Sequence, residues 1–298
     1  MVNQFLTPKQ IASASLAALE AQTVLAATTW RDAEADFRGK QGSVVTVHTD
    51  TIVGEAREFD RAAGQPIVVD DVQEIGVDVK LDKYLYKGVN LPDEQLTLNV
   101  RDFTRQIATP QAKSVARRIE TLVAAQMNAL PSTLTMKPDG SDVHAVMIEA
   151  RARLNKAGVP LDDRFFAVST EVESLLLNDP LKRLIPVDAS GSPAALREAI
   201  IGRLYGFTVL PSNYLADRSA VAYHRSGFPL VTRSLEVPAG ATFGQSITYN
   251  GFALRLVRDY DPAFQQDRSV VSTLAGADVT KDDGQVKRAL RLTIAPAA

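Results

Sequence analysis

The dominant pattern in this sequence lies in residues 109–130, where large apolar residues recur every three or four positions. One helical face would carry Val115, Ile119, Val123, Met127 and Leu130, whereas Lys113, Arg117 and Glu120 would lie on other faces. Thr109 and Pro110 provide a helix start, and Pro131 provides a stop. At about 1.5 Å per residue, this helix would be about 30 Å long and could cross a domain. The sequence therefore predicts a spine helix.

Two segments upstream of this helix have a period of two instead. Val45 and Val47 alternate with polar residues, and residues 75–82 alternate in the same way, which is typical of half-buried strands. Between them, residues 56–66 offer little to bury and carry Arg57, Glu58, Asp60 and Arg61. We expect a long hairpin or extended loop whose tip carries both charges, and loops of this length are usually functional.

The first residues form a third predicted unit. Thr7 and Pro8 provide another helix start, and the helix is expected to continue towards Thr28. Its apolar face is mostly alanine, with Leu16 and Leu19 among the few larger residues. Such a helix is marginal alone, so we expect this arm to dock on another surface. Trp30 follows in a polar connector, where a partner contact and a local core contact are both open interpretations.

The second half of the chain alternates between helical and strand patterns. The turn at residues 138–140 is the best candidate for a domain boundary. Helices are predicted from Ser141, Thr170 and Ser192, and strands over residues 165–169, 207–210, 221–223, 252–257, 269–274 and 286–294. Gly202 and Gly206 mark a helix end, with Gly206 as the left-handed cap that leads into a strand at Phe207. The fold class is therefore α+β.

Composition excludes several classes of protein. The chain has 298 residues, and 33 Lys and Arg against 35 Asp and Glu give a net charge of −2, which argues against a dedicated polyanion binder. Cysteine is absent, which excludes disulfides, thiolate nucleophiles and zinc–cysteine sites. The early apolar run is broken by polar residues, so neither a signal peptide nor a membrane span is predicted. We expect a soluble protein of a reducing cytoplasm.

The residues that carry chemistry do not form a recognisable site. The three histidines lack companions at ligand spacing, and there is neither a nucleophile elbow nor a phosphate-binding glycine loop. We predict no catalytic, cofactor-binding or metal-binding residue, so no enzyme. The remaining enzymatic alternative is an α/β enzyme whose site joins His144 or His224 to a distant aspartate. The basic residues on or just before the predicted spine helix, Arg101, Arg105, Lys113, Arg117 and Arg118, are interpreted as a solvated face.

The order of arm, extended loop, spine helix, mixed region and returning strands resembles the major capsid (coat) proteins of tailed bacteriophages with the Hong Kong 97-type fold. Residues 202–213, GRLYGFTVLPSN, are similar to the helix-to-strand turn of the apical domain in these coats. Residues 254–261, LRLVRDYD, resemble the strand that returns to the peripheral domain, and residues 175–180, LLLNDP, resemble an apical helix end. The resemblance covers essentially the whole chain.

The resemblance implies a four-part organisation. Residues 1–36 would form the N-terminal arm, 37–86 the extended β-hairpin loop, 87–140 with 252–298 a discontinuous peripheral domain around the spine helix, and 141–251 a mixed α/β apical domain. The inter-subunit contacts expected from this arrangement are Leu16, Leu19, Trp30, Arg57, Glu58, Asp60 and Arg61. Replacing Leu16 or Leu19 by Asp is expected to block shell formation and leave folded subunits.

The resemblance also implies a function. Copies of the chain would form hexamers and pentamers of an icosahedral head that encloses double-stranded DNA, through a scaffolded precursor that expands on maturation. The expected partners are further copies, a separate scaffolding protein, a portal protein and, as an optional partner, a decoration protein, with no membrane. The protein would be assembled in the host bacterial cytoplasm and reside in the virion. An encapsulin-like compartment shell, which encloses protein cargo, is the principal alternative.

Overall fold

The computed structural model describes residues 8–20, 23–31, 44–49, 69, 75–94, 102–178, 202–241, 243–249, 251–282 and 284–296. The helices are α1 (Pro8–Glu20), α2 (Thr109–Ala129), α3 (Val143–Lys156) and α4 (Thr170–Leu177). The strands are β1 (Val44–Thr49), β2 (Ile75–Lys80), β3 (Lys83–Pro92), β4 (Ser132–Met136), β5 (Arg164–Val168), β6 (Arg203–Leu204), β7 (Phe207–Pro211), β8 (Ser219–His224), β9 (Leu230–Arg233), β10 (Phe243–Tyr249), β11 (Phe252–Asp261), β12 (Gln266–Ala277) and β13 (Ala289–Ile294). The predicted α+β class is confirmed.

A five-stranded antiparallel sheet lies beside the spine helix. Its order is β10-β11-β12-β3, and β9 pairs with the end of β12. The predicted apolar face of α2 is buried, with Val115, Ile119, Val123 and Met127 at most 2% exposed. This face packs in one core with residues of α1, β3, β11 and β12. The spine helix predicted from periodicity is therefore present and covers this sheet.

A six-stranded mixed sheet has the order β4-β13-β8-β5-β7-β6. Phe166 and Ala222 face a core formed with α3 and α4, whereas Ala167 and Tyr223 face the core that contains α2. The six residues of β8 are all buried, because both faces of this sheet are covered. The sheet thus links the helices on one side to the spine helix on the other.

The two strands predicted from alternation, β1 and β2, form an antiparallel pair in which Val45 lies opposite Val79. Val79 is fully buried, which fits the predicted half-buried pattern of β2. The charged tip predicted between these strands, with Arg57, Glu58, Asp60 and Arg61, lies outside the described residues, as does the helix predicted from Ser192.

The strand order of the two sheets also shows where the chain passes from one sheet to the other. Strands β4 and β13 belong to the six-stranded sheet, whereas β9 and β10 belong to the five-stranded sheet. The chain therefore crosses between the two sheets near residues 132, 230 and 289. The four-part division given above stays a prediction.

Several predicted helix ends were wrong. Helix α1 ends at Glu20, and residues 26–28 form a separate single turn of 3-10 helix. Thr109 is not a cap, because a π-helical turn at Thr104–Ala108 already leads into α2. Ser141 does not cap α3 and instead donates to Asp139 at 3.0 Å. The capping box predicted from Thr170 is not formed, because Ser169 is the first cap residue of α4.

The predicted role of Gly206 was also wrong in detail. Gly206 does not cap a helix but lies in the two-residue turn between β6 and β7, where Tyr205 and Gly206 have φ of 49° and 83°. Two successive positive φ angles are typical of a tight hairpin turn, and glycine adopts this conformation at low cost. Gly202, with φ of 70°, precedes β6, and the helix predicted before it lies outside the described residues. The strand expected at Phe207 is confirmed.

Candidate assembly surfaces and the anchored N-terminal arm

The N-terminal helix α1 docks on its own subunit. Leu16 and Leu19 are 3% and 0% exposed and lie in the same core as Ile119 of α2 and Phe252 of β11. Burial of two leucines contributes roughly 3–6 kcal/mol to this packing. Both residues therefore have an intrachain role, and any contact they make with a second subunit stays a prediction.

Glu120 anchors the segment that follows α1. Its Oε1 accepts hydrogen bonds from the backbone N–H of Val24 at 2.8 Å and Ala26 at 3.0 Å, and its Oε2 accepts one from Leu25 at 3.0 Å. The side chain is buried, and this desolvation raises the pKa of Glu120, while the three backbone donors act in the opposite direction. The carboxylate replaces the helical acceptors that residues 24–26 lack, which explains why α1 does not continue to Thr28.

The sequence analysis missed Glu120 and placed it away from the apolar face. The signal was nevertheless present, because position 120 follows Ala116 by four residues and precedes Val123 by three, and both neighbours are buried. A charged residue inside an apolar helical stripe needs a buried partner. What the sequence does not show is that this partner is backbone almost one hundred residues away.

Trp30 lies between the arm and the base of the β1–β2 hairpin. Its backbone N–H donates to Phe228 O at 3.1 Å, and its carbonyl accepts from Leu230 N at 2.9 Å. Its side chain packs against Val79 and Val231 in a small separate cluster. Of the two interpretations left open for Trp30, the local core contact is the one present, and any contact with a second subunit stays a prediction.

The turn at Tyr205–Gly206 is held against α3. Arg151 donates from Nη1 to Tyr205 O at 3.0 Å, and the edge of His144 meets the Tyr205 ring with centroids 5.7 Å apart. Phe207 is fully buried and packs against Phe166 at 5.9 Å between ring centroids. This turn therefore stabilises the edge of the six-stranded sheet.

The described surface carries large apolar side chains that a subunit on its own leaves in water. Phe264, at the turn between β11 and β12, is 74% exposed, and Tyr86 on β3 is 67% exposed. The β11–β12 hairpin is stiffened by ion pairs, Arg258 with Asp267 and Arg268 with Asp259. Tyr260 donates to Asp93 at 2.9 Å, and this hydrogen bond raises the pKa of Tyr260. A rigid hairpin with an exposed aromatic tip is a candidate assembly surface.

The two histidines of the enzymatic alternative, His144 and His224, are both buried. His224 is 7% exposed, and its Nδ1 lies 2.7 Å from Ser226 Oγ, which also accepts from Arg288 at 2.8 Å. Arg288 pairs with buried Asp282 at 2.8 Å, and desolvation lowers the pKa of His224. This network joins the chain after β12 to the end of β8. Within the described ranges, no three potential ligands lie together as a metal site would require.

Helices in the described part of the chain are too short or too polar to cross a bilayer. A search of curated proteins found no sequence relative.

Solved capsid structures share this fold over most of their length. A chain of Mycobacterium phage Che8 matches with a TM-score of 0.60 and 21% identity, over 98% of this chain and 93% of the other. A chain of a satellite phage P4 procapsid that includes the size determination (Sid) protein matches with a TM-score of 0.54 and 8% identity, over 99% of this chain and 93% of the other. A chain of a virus-like particle from Pyrococcus furiosus matches with a TM-score of 0.51 and 12% identity, over 95% of this chain and 98% of the other. The fold is the Hong Kong 97-type capsid fold.

A family model described as phage capsid protein matches residues 74–273, which is more than half of the chain. The chain therefore belongs to the phage capsid protein family. The resemblance noted from the sequence is confirmed. The protein is a structural component of the virion, and the capsid shell is assembled from its copies.

Proposed function

We propose that this chain is the major capsid protein of a tailed phage, and that it forms an icosahedral head around double-stranded DNA. The observation that carries this proposal is the family match, which spans the β2–β3 region, the spine helix and most of both sheets. The subunit is suited to the task, because its two sheets share a core and its surface retains exposed aromatic residues for contacts with further copies. Permanent interfaces of this kind bury about 2,000 Å² or more.

The proposed assembly begins from a precursor shell of hexamers and pentamers that expands on maturation. A separate scaffolding protein would set the size of the precursor, and a portal protein would occupy one vertex. The P4 procapsid contains a separate protein that determines size, which supports this division of labour. Exposed ion pairs contribute only about 0.2–1 kcal/mol each, so apolar contacts would supply most of the affinity between subunits. The charged loop with Arg57, Glu58, Asp60 and Arg61 would then set the register between neighbouring subunits.

We further propose that the six-stranded sheet, including β4 and β13, forms the apical domain, and that the five-stranded sheet with α1 and α2 forms the peripheral domain. The supporting observation is strand pairing, since β13 pairs with β4 and β8 whereas β10 pairs with β11. This assignment moves residues 289–294 to the apical part and residues 230–249 to the peripheral part.

Electron microscopy of the fast-sedimenting fraction after recombinant expression tests the main proposal. The full chain is expressed alone and with a co-expressed scaffolding protein, and the particles are imaged by negative stain. Closed angular shells are the expected result. A protein that stays monomeric under both conditions would overturn the proposal.

A compartment shell that encloses protein is the second candidate function. The similarity to the virus-like particle from Pyrococcus furiosus favours keeping it, because the fold is shared across almost the whole of both chains. The contents of native particles distinguish the two functions. Nuclease-protected double-stranded DNA indicates a phage head, whereas a stoichiometric protein cargo without DNA indicates a compartment.

A further inference from the structure

A groove lies between helix α2 and the edge strand β3, and we call it the α2–β3 groove. It has a volume of about 410 Å³, and its lining residues are Tyr84, Leu85, Tyr86, Ser114, Val115, Arg117, Arg118 and Thr121. Every polar side chain in this lining carries a hydrogen-bond donor, and none of the described residues lining it is a carboxylate. The groove therefore has the chemistry of an anion site.

Charge is separated along the spine helix. Arg105, Lys113, Arg117 and Arg118 are exposed, whereas Glu120, the sole carboxylate between residues 103 and 130, is buried against the arm. Arg117 and Arg118 make no ion pair within the described part of the chain. Steps of four residues along one helical face place Lys113 and Arg117 about 6 Å apart along the axis. Helix α2 therefore has a cationic face, although the net charge of the whole chain is −2.

Two tyrosines form the opposite wall of the groove. Tyr84 and Tyr86 are 47% and 67% exposed, and their ring centroids are 6.0 Å apart. Arg255 of β11 donates to the Tyr84 hydroxyl at 3.0 Å, which helps to fix the position of this ring. The sequence does not reveal this combination, because Tyr84 and Arg117 are more than thirty residues apart and meet only when β3 packs along α2.

We propose that the α2–β3 groove binds the phosphodiester backbone of nucleic acid inside the shell; this inference rests on the proposed phage-head function. Arginine, tyrosine, serine and threonine side chains are the groups that contact phosphates without reading sequence. Exposed aromatic rings beside arginines that make no ion pair among the described residues add a stacking surface for a base or sugar, which an acidic protein segment would not use. Contacts of this kind carry no base specificity, so the groove would hold packaged DNA whatever its sequence.

Fluorescence anisotropy of labelled DNA with purified, unassembled full-length subunits tests the proposal. The probes are a duplex of about 20 base pairs and a single strand of equal length, titrated at several salt concentrations. For R117A/R118A we expect binding to weaken about tenfold at low salt, and the slope of log affinity against log salt to fall by about 2. R117K/R118K keeps the charge and should retain most of the binding.

The matched control is K156A/R203A, which removes the same charge from two exposed residues far from the groove along the chain. Equal weakening by both double variants would show non-specific charge attraction and overturn the proposal. Preferential binding of polyglutamate instead of DNA would also overturn it and would indicate an acidic protein partner. A stronger effect of Y84A/Y86A on the single strand than on the duplex would show that the rings stack on bases.

The DNA-binding measurement uses unassembled subunits, so it does not depend on whether shells form. If the subunits bind DNA through the groove but never assemble, the shell function fails while the groove chemistry stands. If shells form normally and R117A/R118A has no effect on DNA binding, the groove proposal fails alone.

Discussion

Glu120 shows how much one side chain can decide. A buried carboxylate without a cation partner is costly, and here three backbone N–H groups of residues 24–26 offset that cost. The same three hydrogen bonds hold the arm against α2 and end the helical path of the first residues. A single residue therefore links the position of the arm to the spine helix.

The raised pKa of Glu120 leads to a prediction about pH. Between the ordinary glutamate pKa and the raised value, the folded chain holds a proton that the unfolded chain has released, so the free energy of unfolding falls as pH rises through this interval. Glu120→Gln removes this titration. Urea unfolding of the subunit from about pH 4 to about pH 8 should show a weaker fall in the variant than in the natural chain. Glu94→Gln, at an exposed position, is the control; an unchanged profile for Glu120→Gln would contradict the prediction.

Leu19 is a second residue whose role the structure defines. It lies on α1 and is fully buried, so Leu19→Ala should lower the free energy of unfolding of the isolated subunit by about 2–5 kcal/mol. Urea denaturation followed by circular dichroism measures this loss. Val24→Ala, at a position 43% exposed, should change stability by less than about 0.5 kcal/mol. An unchanged subunit with failed assembly would instead support the contact between subunits that was expected for Leu16 and Leu19.

At the scale of elements, the base of the β1–β2 hairpin is pressed onto the five-stranded sheet. A Cβ added at Gly276 of β12 would lie 2.1 Å from the carbonyl oxygen of Lys80 in β2 and 3.2 Å from Val79 Cγ1. The absence of a side chain thus allows two backbones to cross closely. This contact and the Trp30 cluster together hold β2 against the five-stranded sheet.

Gly276→Ala tests this close crossing. The added methyl group must push β2 away from β12, so we expect a loss of about 1–3 kcal/mol in subunit stability. Gly88→Ala in β3 is the matched control, because a Cβ there would meet its nearest neighbour, Val270 Cγ2, at an ordinary 3.8 Å. Thermal unfolding followed by circular dichroism compares the two variants. Equal melting temperatures would show that β2 does not depend on the crossing.

At the scale of the whole molecule, helices and two sheets enclose two cores that lie on opposite faces of the six-stranded sheet. The exposed aromatic side chains Tyr86 and Phe264 belong to neither core. Contacts between copies can therefore be lost without loss of the fold, provided that the altered residue is exposed.

Phe264 is the clearest position for this test. Because it is 74% exposed, Phe264→Ser should change subunit stability by less than about 0.5 kcal/mol. The fraction of protein that sediments as shells should fall, since an aromatic anchor at an interface is lost. Phe264→Tyr keeps the ring and should assemble normally. Normal shells from Phe264→Ser would show that this hairpin tip makes no essential contact.

The sequence by itself determined the elements whose signal is local. The spacing of Val115, Ile119 and Val123 predicts α2, and the alternation over residues 75–81 predicts β2, because side-chain period follows directly from backbone geometry. The class of protein followed from the order of these elements and from a few turns, such as the one at Gly206. Local signals placed the helix ends poorly, because caps depend on which acceptors the rest of the chain brings near.

Tertiary structure alone decided which distant segments meet. The carboxylate of Glu120 reaches residues 24–26, Tyr84 and Arg117 line one groove, and β13 joins β4, in each case across a long stretch of sequence. No periodicity encodes such contacts, because they arise only when separate apolar faces are buried together and the polar groups between them must find partners.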